Sequence, residues 1–127
     1  MVDSVRYKDW HDKANADLKS AKILFEHDAD YGIVAFHCQQ AIEKLLKSFV
    51  LKRASDLIEG HSLVFLCKKA IELDTEFKNF LKDCAYINQF YIETRYPADV
   101  PIEMTQEEAG ECISITEKIF AEVSKKL

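Results

Sequence analysis

The groups in this chain of 127 residues that can exchange a proton near neutral pH are four histidines, His11, His27, His37 and His61. The groups best suited to hold an anion sit apart from most of them. Arg95 and Tyr96 stand at the end of a predicted helix, beside a proline-fixed loop that contains Asp99. An arginine grips phosphate with two parallel N–H bonds, and a tyrosine stacks on a base. The competing arrangement pairs Arg95 with Asp99 or Glu93 and lays Tyr96 on the core. His61 follows Gly60 and precedes Ser62, so its ring can hold a phosphate or fasten the loop to a backbone carbonyl. Lys44 and Lys47 can meet an anion. Equally, Glu43 lies four residues before Lys47, the spacing of an ordinary helical ion pair.

Other chemistries find little support. Cys38, Cys67, Cys84 and Cys112 are scattered without C-x-x-C spacing, and each falls on the apolar face of a predicted helix. They read as small buried hydrophobes, and no structural metal site is expected. A net charge of −5 argues against broad electrostatic capture of nucleic acid. The N-terminal stretch lacks the apolar core of a signal peptide, and no window reaches the apolar length of a membrane span. A cytoplasmic location with reduced thiols is expected.

The elements that must position these groups are helices. Apolar residues at 48%, with only three Gly and two Pro, leave little room for the turns of an all-β fold. The chain is organised around residues 31–51, where Val34, Cys38, Ala41, Ile42, Leu45 and Phe49 form one apolar seam. A second row, Ala35, Ile42, Leu46 and Val50, widens it, so this helix should touch several others. Against them stands a polar row, His37, Gln40, Lys44 and Lys47, at which a ligand or partner is expected. His37 and Gln40 are satisfied core polars or face a twin helix across a dimer.

A first helix should begin near Ser4 or Asp9 and run to about His27, with Trp10, Ala14, Leu18, Ala21 and Phe25 inward. Lys13, Asp17, Lys19 and Lys22 should lie on its solvated face. Asp28 or Asp30 caps the central helix, and the short connection makes the first two helices antiparallel neighbours. Ser62 caps a third helix with Leu63, Leu66, Cys67, Ala70 and Ile71 inward. Asp74 or Thr75 caps a fourth, whose seam is Phe77, Phe80, Leu81, Cys84, Ile87 (or Asn88) and Tyr91 and which Pro97 ends. The aromatic run along it, Phe77, Phe80, Tyr86, Phe90 and Tyr91, reads as core and interface. Thr105 and Glu108 form a capping box for a last helix with Ala109, Cys112, Ile113, Thr116, Ile119, Phe120 and Val123 inward. Residues 1–127 therefore read as one all-α domain, an up-and-down bundle of four to five helices with a long central helix.

Several features line up with one family. The first helix has the form W-x3-A-x2-D-L-x2-A in Trp10, Ala14, Asp17, Leu18 and Ala21. The central helix carries Tyr31, Gly32, Phe36, Gln39, Gln40, Ala41, Glu43, Lys44, Leu46 and Lys47. Gly60, His61, Ser62 and Leu63 follow with Leu66, and then Thr94, Arg95, Tyr96 and Pro97. Together these resemble the HEPN domain family, named for higher eukaryotes and prokaryotes nucleotide-binding, from about Trp10 to Lys126.

The resemblance implies a compact helical bundle that pairs as a homodimer and is often encoded beside a minimal nucleotidyltransferase. Many family members are RNA-cutting toxins that share an arginine followed after four to six residues by a histidine on a late helix. This sequence departs from that pattern. No histidine follows Arg95, seven residues separate Arg53 from His61, and only Arg6 and His11 satisfy the spacing, at the wrong end of the chain. General acid/base cleavage of RNA needs a proton-exchanging group. The expected function is thus a non-catalytic module, a nucleotide-binding dimeric partner of a minimal nucleotidyltransferase in a toxin–antitoxin-like pair. No catalytic residue, metal ligand or cofactor is assigned. Arg95, Tyr96, His61, Lys44 and Lys47 are the expected nucleotide or phosphate ligands. The alternative is an RNA-cleaving toxin with a different constellation, such as His61 with Arg95 and Tyr96.

Overall fold

The computed structural model describes residues 3–93 and 103–127, and all its regular elements are helical. They are α1 (Tyr7–Glu26), α2 (Tyr31–Ala54), α3 (Leu63–Leu73), a 3-10 segment (Thr75–Phe80), α4 (Leu81–Asn88), α5 (Phe90–Glu93) and α6 (Gln106–Ser124). Helix α2 is the hub, packing against every other α-helix of the bundle. Its side chains explain why. Val34, Ala35, Cys38, Ala41, Ile42, Leu45, Leu46 and Phe49 are all buried, and they spread over so much of the circumference that no single stripe could cover them.

The helix boundaries follow from local chemistry. Asp30 accepts a hydrogen bond from the Ile33 N–H at 3.1 Å, satisfying one of the unpaired donors at the start of α2. Ser62 does the same for Phe65 at the start of α3, and Thr105 and Glu108 cap α6 reciprocally. The turn between α1 and α2 takes Asp28 into the left-handed region at φ 52°, and the loop after α2 uses Ser55 and Gly60 in the same way.

The core is centred on α2, with buried side chains from α1 (Ala14, Ala21), α3, the 3-10 segment, α4 and α6 gathered around it. Phe49 of α2 meets Phe77 with ring centroids 4.3 Å apart, and both are fully buried, as are Leu63, Leu66, Ile87 and Ile119 of the same core cluster. All four cysteines are buried and unpaired. Burial is the main cause that pushes the Cys38 and Cys112 thiols up to about 12, so both stay protonated.

One predicted element is broken in two places. The expected continuous fourth helix begins as a 3-10 segment and turns again at Gln89, between α4 and α5. Asp74 caps the 3-10 segment through the Glu76 N–H at 3.0 Å, and its tighter winding brings Phe77 and Phe80 onto the core within one turn. At the other break, the side-chain oxygen of Asn88 accepts a hydrogen bond from the Leu63 N–H at 2.7 Å, tying the end of α4 to the start of α3. Apolar periodicity continues across both breaks, which is why the sequence reads as one helix.

Candidate functional site

The polar row on α2 is organised by two carboxylates. Asp17 of α1 receives the Lys44 ammonium at 2.5 Å on one oxygen and meets His37 Nδ1 at 3.0 Å with the other. Its side chain is only 14% exposed. This corrects the placing of Asp17 on a solvated face. It faces α2, and its position in the turn before Leu18 and Ala21 puts it at the edge of the α1–α2 seam. Lys44 is therefore a tie between two helices.

The second carboxylate, Glu43, is 5% exposed and lies on the inner side of α2. One oxygen meets the Lys47 ammonium at 3.3 Å and the other meets His61 Nδ1 at 2.9 Å. Lys47 is itself 7% exposed, and its ammonium lies 5.6 Å from the centre of the Trp10 ring of α1. The polar row at which a ligand or partner is expected is thus enclosed at its C-terminal end, at Lys47. Lys47 turns inward to neutralise Glu43, because an unpaired carboxylate at that depth would be costly.

His61 is the member of this cluster that reaches solvent, with 62% of its side chain exposed. Three contacts fix it. Its backbone carbonyl accepts from Gln39 Nε2 at 2.8 Å, its Nδ1 is held by Glu43, and its ring stacks on Tyr91 of α5 at 5.9 Å and 20°. The left-handed Gly60 at φ 104° turns the chain so that His61 arrives over α2 just before α3 starts. A carboxylate only accepts hydrogen bonds, so Nδ1 carries the proton and Nε2 faces outward.

Of the expected ligand residues, the fold brings His61 and Lys47 together through Glu43, and it places Lys44 with Asp17 and His37. Arg95 and Tyr96 lie outside the described residues, as do Asp99 and Pro97. The Arg6 and His11 pair does not form a site: Arg6 bonds Asp9, while His11 meets Ser124 at 3.2 Å and packs on Phe120. Sequence reasoning missed Glu43 as the anchor of His61 and Gln39 as the anchor of its carbonyl. The signal available was that Gln39, Glu43 and Lys47 recur every four residues, the spacing of one helix face. Among the described residues no three His, Cys, Asp or Glu side chains are placed to hold a metal ion. No helix there is long and apolar enough to cross a membrane.

An all-helical bundle centred on α2, with a Gly-His-Ser loop pinned to the middle of that helix, defines the class of protein. The HEPN domain matches the sequence over residues 7–127, and the chain belongs to the HEPN domain family. Among solved structures it is similar to TT1696 from Thermus thermophilus, at 30% identity over 98% of this chain and 100% of that one, with a TM-score of 0.83. It is also similar to ST0689, an archaeal HEPN homologue, at 25% identity over 95% of this chain and 97% of that one, with a TM-score of 0.76. No curated protein matches the sequence.

Proposed function

We propose that this HEPN domain is a non-catalytic, dimeric module that binds a nucleotide through its phosphates and acts beside a minimal nucleotidyltransferase in a toxin–antitoxin-like pair. The observation that carries the reading is His61, an exposed imidazole held by a buried carboxylate and stacked on Tyr91. Tyr91 stands four residues before Arg95 and five before Tyr96, so the chain leads from the stacked ring pair toward the two residues best able to grip phosphate and base. The lack of a histidine after Arg95 supports a binding role over the family's nuclease chemistry.

Calorimetry with ATP tests binding, and Arg95→Ala and Tyr96→Ala should each weaken it roughly tenfold or more. Size-exclusion chromatography with light scattering should give twice the chain mass of 14.7 kDa, and co-purification with a co-expressed minimal nucleotidyltransferase tests the partnership. Absence of ATP binding, or a strictly monomeric particle, contradicts the proposal.

A second reading, RNA cleavage, is favoured by the same Glu43–His61 contact, since a carboxylate-held imidazole is also the arrangement of a proton-transfer histidine. It requires RNA degradation by the purified protein that is lost in His61→Gln and in Arg95→Ala. Intact RNA after incubation with wild type removes it.

A further inference from the structure

We propose that Glu43 is a positioning residue that makes phosphate binding at His61 Nε2 depend on the uptake of one proton. This rests on the reading of His61 as a phosphate ligand and adds how the site is regulated.

A neutral imidazole carries one N–H. Glu43 claims it at Nδ1, 2.9 Å away, and Glu43 is itself paired with the Lys47 ammonium at 3.3 Å. Nε2 is then a bare lone pair. A phosphate oxygen also only accepts, so the two repel. Phosphate can be held at Nε2 only when a second proton arrives there, after which the ring donates to Glu43 on one side and to phosphate on the other.

The charges agree with this count of hydrogens. Glu43 and Lys47 cancel, so the cluster is neutral with a neutral ring and carries one positive charge with a protonated one. Among the described residues, the other groups around the ring do not alter this. Gln39 of α2 and Asn88 of α4 are uncharged, Tyr91 of α5 presents its ring face, and Glu59 in the same loop is exposed. Lys47 therefore acts through Glu43, by holding the carboxylate that dictates the tautomer.

The test is calorimetry of ATP binding, without divalent metal, in buffers of different ionisation enthalpy over a range of pH, which counts protons taken up. Terminal phosphate titrates near pH 6, so measurements from about pH 7.5 to 9 isolate the protein. Wild type should take up a number of protons that rises toward about one, with affinity falling up to tenfold per pH unit over that range. His61→Gln, at an exposed position, should bind roughly tenfold more weakly and take up none. Glu43→Gln should move the uptake curve to lower pH, a change that a merely structural role would not produce. ATP binding with a flat proton count, or uptake that persists in His61→Gln, overturns the inference and leaves nucleotide binding standing. No ATP binding at all overturns both.

Discussion

Replacing Lys47 by methionine keeps most of the side-chain volume and removes the ammonium that neutralises Glu43. The two side chains are 7% and 5% exposed and 3.3 Å apart, so this is a buried pair. Breaking such a pair by removing one partner typically costs about 3–5 kcal/mol. Here the cost should lie at or below the low end, about 2–3 kcal/mol, because His61 still donates to the other carboxylate oxygen. That is a large share of the roughly 5–15 kcal/mol that holds a domain together. In urea, with a slope of about 1–3 kcal/mol per molar, the unfolding midpoint should fall by roughly 1–2 M.

The double variant Lys47→Met, Glu43→Gln removes both charges and should recover most of the loss, a coupling of about 2 kcal/mol in a double-mutant cycle. A single variant within about 0.5 kcal/mol of wild type, or strictly additive variants, would refute the view that Lys47 serves Glu43.

Other perturbations reach other parts of the molecule. Thr105→Ala removes the reciprocal cap of α6 and should lower stability by about 1 kcal/mol in equilibrium unfolding. Gly110→Ala should stabilise by up to about 1 kcal/mol, because a methyl group there would meet only Phe25 at an ordinary 3.5 Å; a loss in melting temperature would show that this part of α6 is more tightly engaged. Cys38 and Cys112, pushed up to about 12 chiefly by burial, should resist a thiol reagent at about pH 8 in the folded protein and react once it is unfolded. Asp74 is held below the usual carboxylate range by hydrogen bonds from Lys126 and from the Glu76 N–H. Its folded value being depressed, its contribution is present above about pH 4 and is lost as pH falls further. The stability gap between wild type and Lys126→Met should therefore narrow from about pH 5 to pH 2, and a constant gap would contradict this.

The long central helix was legible because its apolar rows repeat for about five turns, from Val34 to Val50, and a capping Asp30 precedes them. So were the boundaries set by Ser62 and by Thr105 with Glu108, where a cap residue and a helical apolar run coincide. The burial of all four cysteines followed from their place on those runs. The break at Thr75–Phe80 was hidden, because a 3-10 turn and an α-turn bring the same apolar residues inward over so short a span.

At the site, sequence could rank His61 as a candidate but could not choose its partner. Glu43 and Lys47 look like any exposed helical ion pair, and only the packing of α1 and the Gly60 turn over α2 buries them. Asp17 was misread for the same reason. Its neighbours Lys13, Lys19 and Lys22 are solvated, and nothing local says that this one acidic side chain faces another helix. Long-range partners of charged residues depend on how helices cross, which spacing along one helix does not encode.

The most direct test of the central claim is a crystal structure of the protein soaked with ATP. A phosphate oxygen should lie within hydrogen-bonding distance of His61 Nε2, with Nδ1 still on Glu43 and Lys47 still turned inward. Phosphate bound away from His61, or Lys47 swung out to meet it, would contradict that claim.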